Sequence, residues 1–265
     1  MSELERPGGI GLHWEQRGDG PLVVVGGMFN TPPSVLDGLM ADLAADHKVV
    51  TYDLRGNGRS TRAGPYDVAT DAEDLGAVIE AADPPAVVVA LGYGVHPAVR
   101  LTAARPDLVT AIVVSGTLPL SRAPGQAEGG LSASGSVLQA FTTMYDVDHR
   151  AAMRTTVSSG NPNLTEDQIR DRVEEMVEYS PAEAGAARLR SWIADDLSED
   201  GAAMGDRLWV LYYEGNPWFP AALAEGMRDV LPNAHFQAVE DGAISRPDLT
   251  AAAVRRITQA APADA

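Results

Sequence analysis

The sequence predicts an α/β fold: a doubly wound, mostly parallel sheet with a helical lid inserted late in the chain. Three observations predict it. Short runs of β-branched residues recur, each ending in glycine or a turn residue; stretches of helical periodicity separate them; and one long stretch, 118–205, carries helix patterns only. A continuous apolar run, as opposed to an alternating one, marks a strand buried on both faces, as parallel strands between helix layers are.

In chain order, Leu22-Val-Val-Val25 runs into Gly26-Gly27, and Lys48-Val-Val-Thr-Tyr52 into Asp53. Ala86 to Leu91 breaks into the Gly-rich turn Gly92-Tyr-Gly94, and Val109 to Ser115 ends at Gly116. Leu208 to Tyr213 ends at Glu214-Gly215, and Ala234 to Val239 at Glu240-Asp-Gly242. Helices are predicted between these strands, over 33–45, 71–82, 95–105, 221–231 and 247–259. Thr70-x-x-Glu73 and Thr165-x-x-Gln168 fit capping boxes, in which side chains satisfy the first orphan N–H groups. Ser180-Pro-Ala-Glu183 places a proline at a first helical position.

The helix-only stretch opens with a Gly/Ser/Ala-rich linker at 125–136 and continues as helices near 137–145, 150–158, 166–179 and 181–197. Inserted between two strands of one sheet, it reads as a lid over the C-terminal edge, where doubly wound sheets place their functional groups. The expected division is a core of 1–117 and 206–265 with a lid of 118–205, and a frayed tail from 260.

Composition narrows the function. The net charge of −17 disfavours phosphate backbones and anionic membranes, so no nucleic acid and no membrane are expected as partners. The absence of cysteine removes disulfides, thiolate nucleophiles and cysteine zinc sites. The five histidines are scattered without ligand spacing, so no metal is expected. Gly56-x-Gly58 opens no dinucleotide-binding helix, and no cofactor is implied. The N-terminus lacks an apolar signal region and no run reaches the ~20 residues of a membrane helix, so the expected location is cytoplasmic. The expected partner is a small-molecule substrate or ligand; oligomeric state has no sequence signal.

Four segments, in matching order, resemble the α/β-hydrolase family over nearly the whole chain. Gly26-Gly27-Met28 looks like the turn after the family's third strand. Tyr52-Asp-Leu-Arg-Gly-Asn-Gly-Arg-Ser60 resembles its D-x-R-G-x-G-x-S turn. The strand and turn at 86–94, with Arg105-Pro-Asp107, resemble the nucleophile strand and helix; Tyr213-Glu-Gly-Asn-Pro-Trp218 is similar to the turn that supplies the catalytic acid. In that numbering the lid follows the sixth strand.

The resemblance implies a Ser-His-Asp triad, and this chain departs from it at each position. The G-x-S-x-G elbow has glycine at its apex, Gly92 in the register Ala90-Leu-Gly-Tyr-Gly94 or Gly94 in the alternative register. Asn216 stands where the acid is usual, and the loop Glu240-Asp-Gly-Ala-Ile-Ser-Arg-Pro247 has Ala243 nearest the expected histidine. A glycine has no lone pair with which to attack, so ordinary serine esterase or amidase chemistry is not expected.

The resemblance also implies an oxyanion hole, made here by the backbone N–H groups of Met28 and Tyr93. Tyr93 either donates its phenol to a ligand or packs under the lid. His96, in the first turn of the next helix, is either an acid–base group or a packing residue. Asp241 is either a desolvated base or a solvated turn residue. Met28, Tyr93, His96 and Asp241 are thus the catalytic candidates, and Phe29, Asn30, Gly92, Glu214, Asn216 and Trp218 the substrate-binding ones. Asp53, Arg55 and Arg59 read as residues that tie their turn to its neighbours.

The function expected from these residues is non-serine chemistry on a small carbonyl-containing molecule, of lyase, isomerase or cyclase type. The alternatives are a catalytically inactive pseudoenzyme that binds a ligand or partner, and a hydrolase that activates water without a covalent intermediate.

Overall fold

A computed structural model describes residues 2–116, 133–160, 163–216, 221–229 and 231–260. Residues 125–132 of the expected linker, the tail beyond 260 and Trp218 lie outside the described residues, and residues 133–136, also read as linker, are helical. Eight strands form one sheet: β1 Ser2–Arg6, β2 Ile10–Arg17, β3 Leu22–Val25, β4 Lys48–Tyr52, β5 Ala86–Ala90, β6 Val109–Ser115, β7 Leu208–Tyr212 and β8 His235–Ala238. Their order is β1-β2-β4-β3-β5-β6-β7-β8. The β1–β2 hairpin is antiparallel, as is its junction with β4; every pairing from β4 to β8 is parallel. The hairpin has no counterpart in the sequence reading. Its signal is short: Ile10 and Leu12 are buried, but Gly11 between them and His13 after them break any β-branched run.

The helices are α1 Asp37–Leu43, α2 Val68–Ala81, α3 Val95–Ala104, α4 Ala133–Val147, α5 His149–Gly160, α6 Glu166–Tyr179, α7 Ala182–Ala194, α8 Ser198–Met204, α9 Ala221–Met227 and α10 Pro247–Ala260. Two helix layers explain the continuous apolar runs. Val23 and Val25 of β3 pack with Leu39, Met40 and Leu43 of α1 and Val254 and Ile257 of α10. Leu22 and Val24, pointing the opposite way, pack with Leu75 and Val78 of α2 and Val99 of α3. Helices α4 to α8 form the insertion between β6 and β7. Among the described residues no helix is long and apolar enough to cross a membrane, and no group of three or more His, Asp or Glu gathers as a metal site.

Several boundaries differ from the sequence reading, each for a local reason. Helix α2 starts at Val68 because Asp67, not Thr70, caps it: the Asp67 carboxylate accepts the Thr70 N–H at 2.8 Å. Pro32-Pro33 opens a short 3-10 turn, Pro33–Leu36, before α1 begins. Pro181 stands at the N-cap of α7, not inside it, because α6 runs to Tyr179 and Ser180 closes it. The helix expected over 181–197 ends at Ala194, where Asp195 turns extended and gives its carboxylate to His96 and Arg100; α8 then starts afresh.

The box at α6 forms as read. Thr165 Oγ1 accepts the Gln168 N–H at 3.3 Å, and Gln168 Oε1 accepts the Thr165 N–H at 2.9 Å. Thr165→Ala is expected to lower stability by about 1 kcal/mol, read from urea unfolding of the two proteins side by side. An unchanged midpoint would mean that this cap carries no weight.

Candidate functional site

The site is built from two turns at the C-terminal edge of the sheet. β3 passes into Gly26, whose N–H donates to the Val89 carbonyl of β5 at 2.8 Å. β5 passes through the extended Leu91 into Gly92 at φ 51°, then through Tyr93 and Gly94 into α3. That left-handed residue makes the strand-to-helix reversal sharp, and its backbone favours glycine. A Cβ on Gly92 would meet no atom within 4 Å among the described residues. Gly94 is the other kind of glycine. Its φ is −59°, and a Cβ there would lie 3.0 Å from the Gly27 carbonyl oxygen, so it is small because the two turns press together. Gly92 is therefore the apex, and Met28 and Tyr93 lie on abutting turns.

Side chains from the insertion cover this junction. Phe29 packs edge-on to Tyr93 with ring centroids 5.6 Å apart and lies 6.2 Å from Tyr145 of α4. Trp192 of α7 packs edge-on to both Tyr93, at 6.0 Å, and His96, at 5.9 Å. All five of these residues are buried.

Beneath the aromatics lies a buried charge network. The Tyr93 phenol donates to Asp71 Oδ2 of α2 at 2.7 Å. Burial, and then the Asp71 charge, push the Tyr93 phenol well above its usual range, so it keeps its proton. Arg188 of α7, fully buried, donates to both oxygens of Asp71 at 2.6 and 2.9 Å. It also donates to the Arg55 carbonyl at 2.8 Å and to Asn57 Oδ1 at 3.2 Å. Asn57 Nδ2 in turn donates to the Phe29 carbonyl at 2.5 Å, and Arg55 holds Asp74 through two bonds of 2.7 and 2.8 Å. One guanidinium of the insertion thus reaches the elbow through Asp71 and Tyr93, and the turn after β3 through Asn57 and Phe29.

The other sequence-predicted residues are placed as follows. His96 is buried, and its Nδ1 lies 2.7 Å from Asp195 Oδ2 at the start of the α7–α8 turn. Burial works to raise the Asp195 pKa, but hydrogen bonds from His96 and Arg100 outweigh it and hold the carboxyl below its usual range. Met28 is half-buried against the α1–α10 side of the core, and Asn30 Oδ1 accepts the Thr31 hydroxyl at 3.1 Å. Glu214 is exposed, whereas Asn216 is buried with its Nδ2 3.4 Å from where a Cβ on Gly116 would sit. Asp241 is half-buried and accepts the N–H of Gly242 at 2.7 Å. Ala243 is buried, and its N–H donates to Ser115 Oγ at 2.9 Å, which pins the loop after β8 to the end of β6.

The structure therefore brings together Met28, Phe29, Gly92 and Tyr93 on one side of the edge, and Asn216, Asp241 and Ala243 on the turns after β7 and β8. His96 shares the Trp192 ring with Tyr93 and turns its Nδ1 to Asp195 of the insertion. Sequence reasoning missed Asp71, Arg188 and Ser115. The only available signal was polarity inside otherwise apolar periodic stretches, and such residues usually face water.

The strand order, the left-handed residue after β5 and the insertion after β6 define the class of protein. A family model described as the alpha/beta hydrolase family matches residues 22–253, and the chain belongs to that family. Solved structures of similar fold include an esterase from Exiguobacterium antarcticum, 16% identical over 97% of this chain and 99% of the esterase, with a TM-score of 0.83. A bromoperoxidase from Bacillus anthracis is 16% identical over 96% of this chain and 97% of its own, with a TM-score of 0.79. A thermophilic esterase from Thermogutta terrifontis, crystallised with malate, is 19% identical over 98% of each chain, with a TM-score of 0.75. No curated protein matches the sequence.

Proposed function

We propose that this chain binds a small carbonyl-containing molecule at the β5 elbow without a serine nucleophile, as a ligand-binding member of the family that lacks the triad. The observation that carries the reading is Gly92 at the apex, at φ 51° with open space where a side chain would begin. The N–H groups of Met28 and Tyr93 would receive the carbonyl oxygen, close to the start of α3, whose dipole favours negative charge. The insertion acts as the lid. Ala243 supports the same reading: its methyl belongs to the core and its N–H is spent on Ser115. Three groups suited to proton transfer are already engaged, Tyr93 by Asp71, His96 by Asp195 and Asp241 by the Gly242 N–H, which favours binding over turnover.

A second reading, non-serine chemistry of lyase, isomerase or cyclase type, draws on one observation. The Tyr93 phenol keeps its proton beside the elbow, and on turning away from Asp71 it would donate that proton's hydrogen bond to a developing oxyanion.

A fluorophosphonate probe and a trifluoromethyl ketone test the proposal together. The probe is expected to leave the protein unmodified by mass spectrometry, and the ketone to bind reversibly with no hemiketal signal in fluorine NMR. Stoichiometric labelling, or a hemiketal, would contradict the missing nucleophile; failure of the ketone to bind at all would contradict the carbonyl pocket.

A further inference from the structure

The two N–H groups proposed to receive a carbonyl oxygen sit on different turns, Met28 after β3 and Tyr93 after β5. One oxygen can take both only if the turns are held in register. We infer that Arg188 of the insertion is the positioning residue for this pair, acting on one turn through Asn57 and on the other through Asp71. The inference rests on the reading of the elbow as a carbonyl site and gives the lid a part in its affinity.

At their roots the turns are joined by backbone, through the Gly26 N–H and the Val89 carbonyl. That contact ends before Met28. From Met28 to Thr31, the one hydrogen bond described to another segment runs from Asn57 Nδ2 to the Phe29 carbonyl. It anchors the backbone one residue beyond the proposed donor.

Asn57 is fully buried, and a buried amide can turn either its oxygen or its NH2 group to a neighbour. Arg188 decides which. Its Nη1 donates to Asn57 Oδ1 at 3.2 Å, which leaves the NH2 group for the Phe29 carbonyl. An amide flipped the other way would set oxygen against oxygen at Phe29 and NH2 against the guanidinium. Nη2 also donates to the Arg55 carbonyl at 2.8 Å, which steadies the turn that carries Asn57.

The rest of the fork serves the other turn. Nε and Nη2 donate to the two oxygens of Asp71, and Asp71 Oδ2 accepts the Tyr93 phenol at 2.7 Å. The side chain of Tyr93 is thereby fixed at the residue whose own N–H is the second proposed donor. A guanidinium paired with Asp71 alone would be a structural ion pair; the bonds to Asn57 and the Arg55 carbonyl extend its hold to the turn after β3. Reaching all of these acceptors at once takes the planar fork of arginine, which the single nitrogen of lysine does not reproduce.

The test measures affinity for the trifluoromethyl ketone by fluorine NMR and, without ligand, the amide shifts of both turns in the whole chain. Asn57→Ala is expected to move the Met28 and Phe29 amides more than that of Tyr93, and to weaken ketone binding about fivefold or more. Arg188→Lys keeps a charge for Asp71; it should move the amides of both turns and weaken binding about tenfold or more. Thr165→Ala is the control, since it costs stability at a remote cap, and it should bind the ketone as the parent does. Parent-like affinity in a folded Asn57→Ala or a folded Arg188→Lys would overturn the inference and leave the elbow reading standing. Equal weakening in Thr165→Ala would overturn it as well, by tracing the loss to stability alone. A parent that does not bind the ketone would end the elbow reading itself, and this inference with it.

Discussion

Arg188→Met is expected to destabilise the protein by about 3–5 kcal/mol, the range typical of breaking a buried ion pair from one side. Methionine replaces most of the apolar stem, so packing is not the main loss. The loss is electrical. Asp71 is fully buried, and Arg188 supplies two of its hydrogen bonds and its counter-charge; Tyr93 would be left as the one side-chain donor described for it. The Arg55 carbonyl and Asn57 Oδ1 lose a donor as well. Adding Asp71→Asn to the same chain removes the stranded charge, so the double variant should recover much of the stability. Guanidinium unfolding of the parent, the two single variants and the double variant completes the cycle. A cost below about 1 kcal/mol for Arg188→Met, in the range of an exposed pair, would mean that the guanidinium is not buried against Asp71.

Gly92→Ser is expected to leave esterase activity at background, at least about 10³-fold below a working serine esterase. The failure would not be steric. No described atom lies within 4 Å of the new Cβ, and the strain of a left-handed non-glycine residue costs on the order of 1–3 kcal/mol. The failure would be chemical. A serine hydroxyl needs a base to take its proton; on the proposed reading Ala243 stands in the base's place and offers none, and Asn216 stands in the acid's place without charge. Hydrolysis of a p-nitrophenyl ester by the folded variant checks this. Robust turnover would mean that a base and an acid other than residues 243 and 216 reach the new hydroxyl. A fluorophosphonate reaction with the variant, but not with the parent, would report the new hydroxyl as a weak nucleophile and agree with the prediction.

The fold was largely legible in the sequence because parallel strands between two helix layers must be apolar on both faces. The runs at Leu22 to Val25 and Val109 to Ser115 cannot be mistaken for half-exposed strands, and the observed strands follow them closely. The N-terminal hairpin was not read, since an antiparallel edge mixes Ile10 and Leu12 with glycine and histidine. Helix starts depended on which of several polar residues captured the first N–H groups. Thr165 did so and Thr70 did not, because Asp67 stands three residues earlier with a carboxylate in reach.

At the candidate site, the sequence located the two abutting turns and left two glycines as rivals for the apex. Backbone geometry separates them: one needs a left-handed φ, the other needs to be small against a neighbouring carbonyl.

From the amino-acid order alone come the strands β3 to β8, the insertion, and the glycine-rich turn after β5. These are properties of short windows, written in periodicity and in side-chain chemistry. Only the tertiary structure decided which polar residues are buried and with whom: Arg188 with Asp71 across 117 positions, Ala243 with Ser115 across 128, His96 with Asp195 across 99. A charged residue on an amphipathic helix has the same local sequence whether it meets water or a partner. Its fate is set by what the chain folds against it, since a buried charge persists only where an opposite charge and well-placed donors await it.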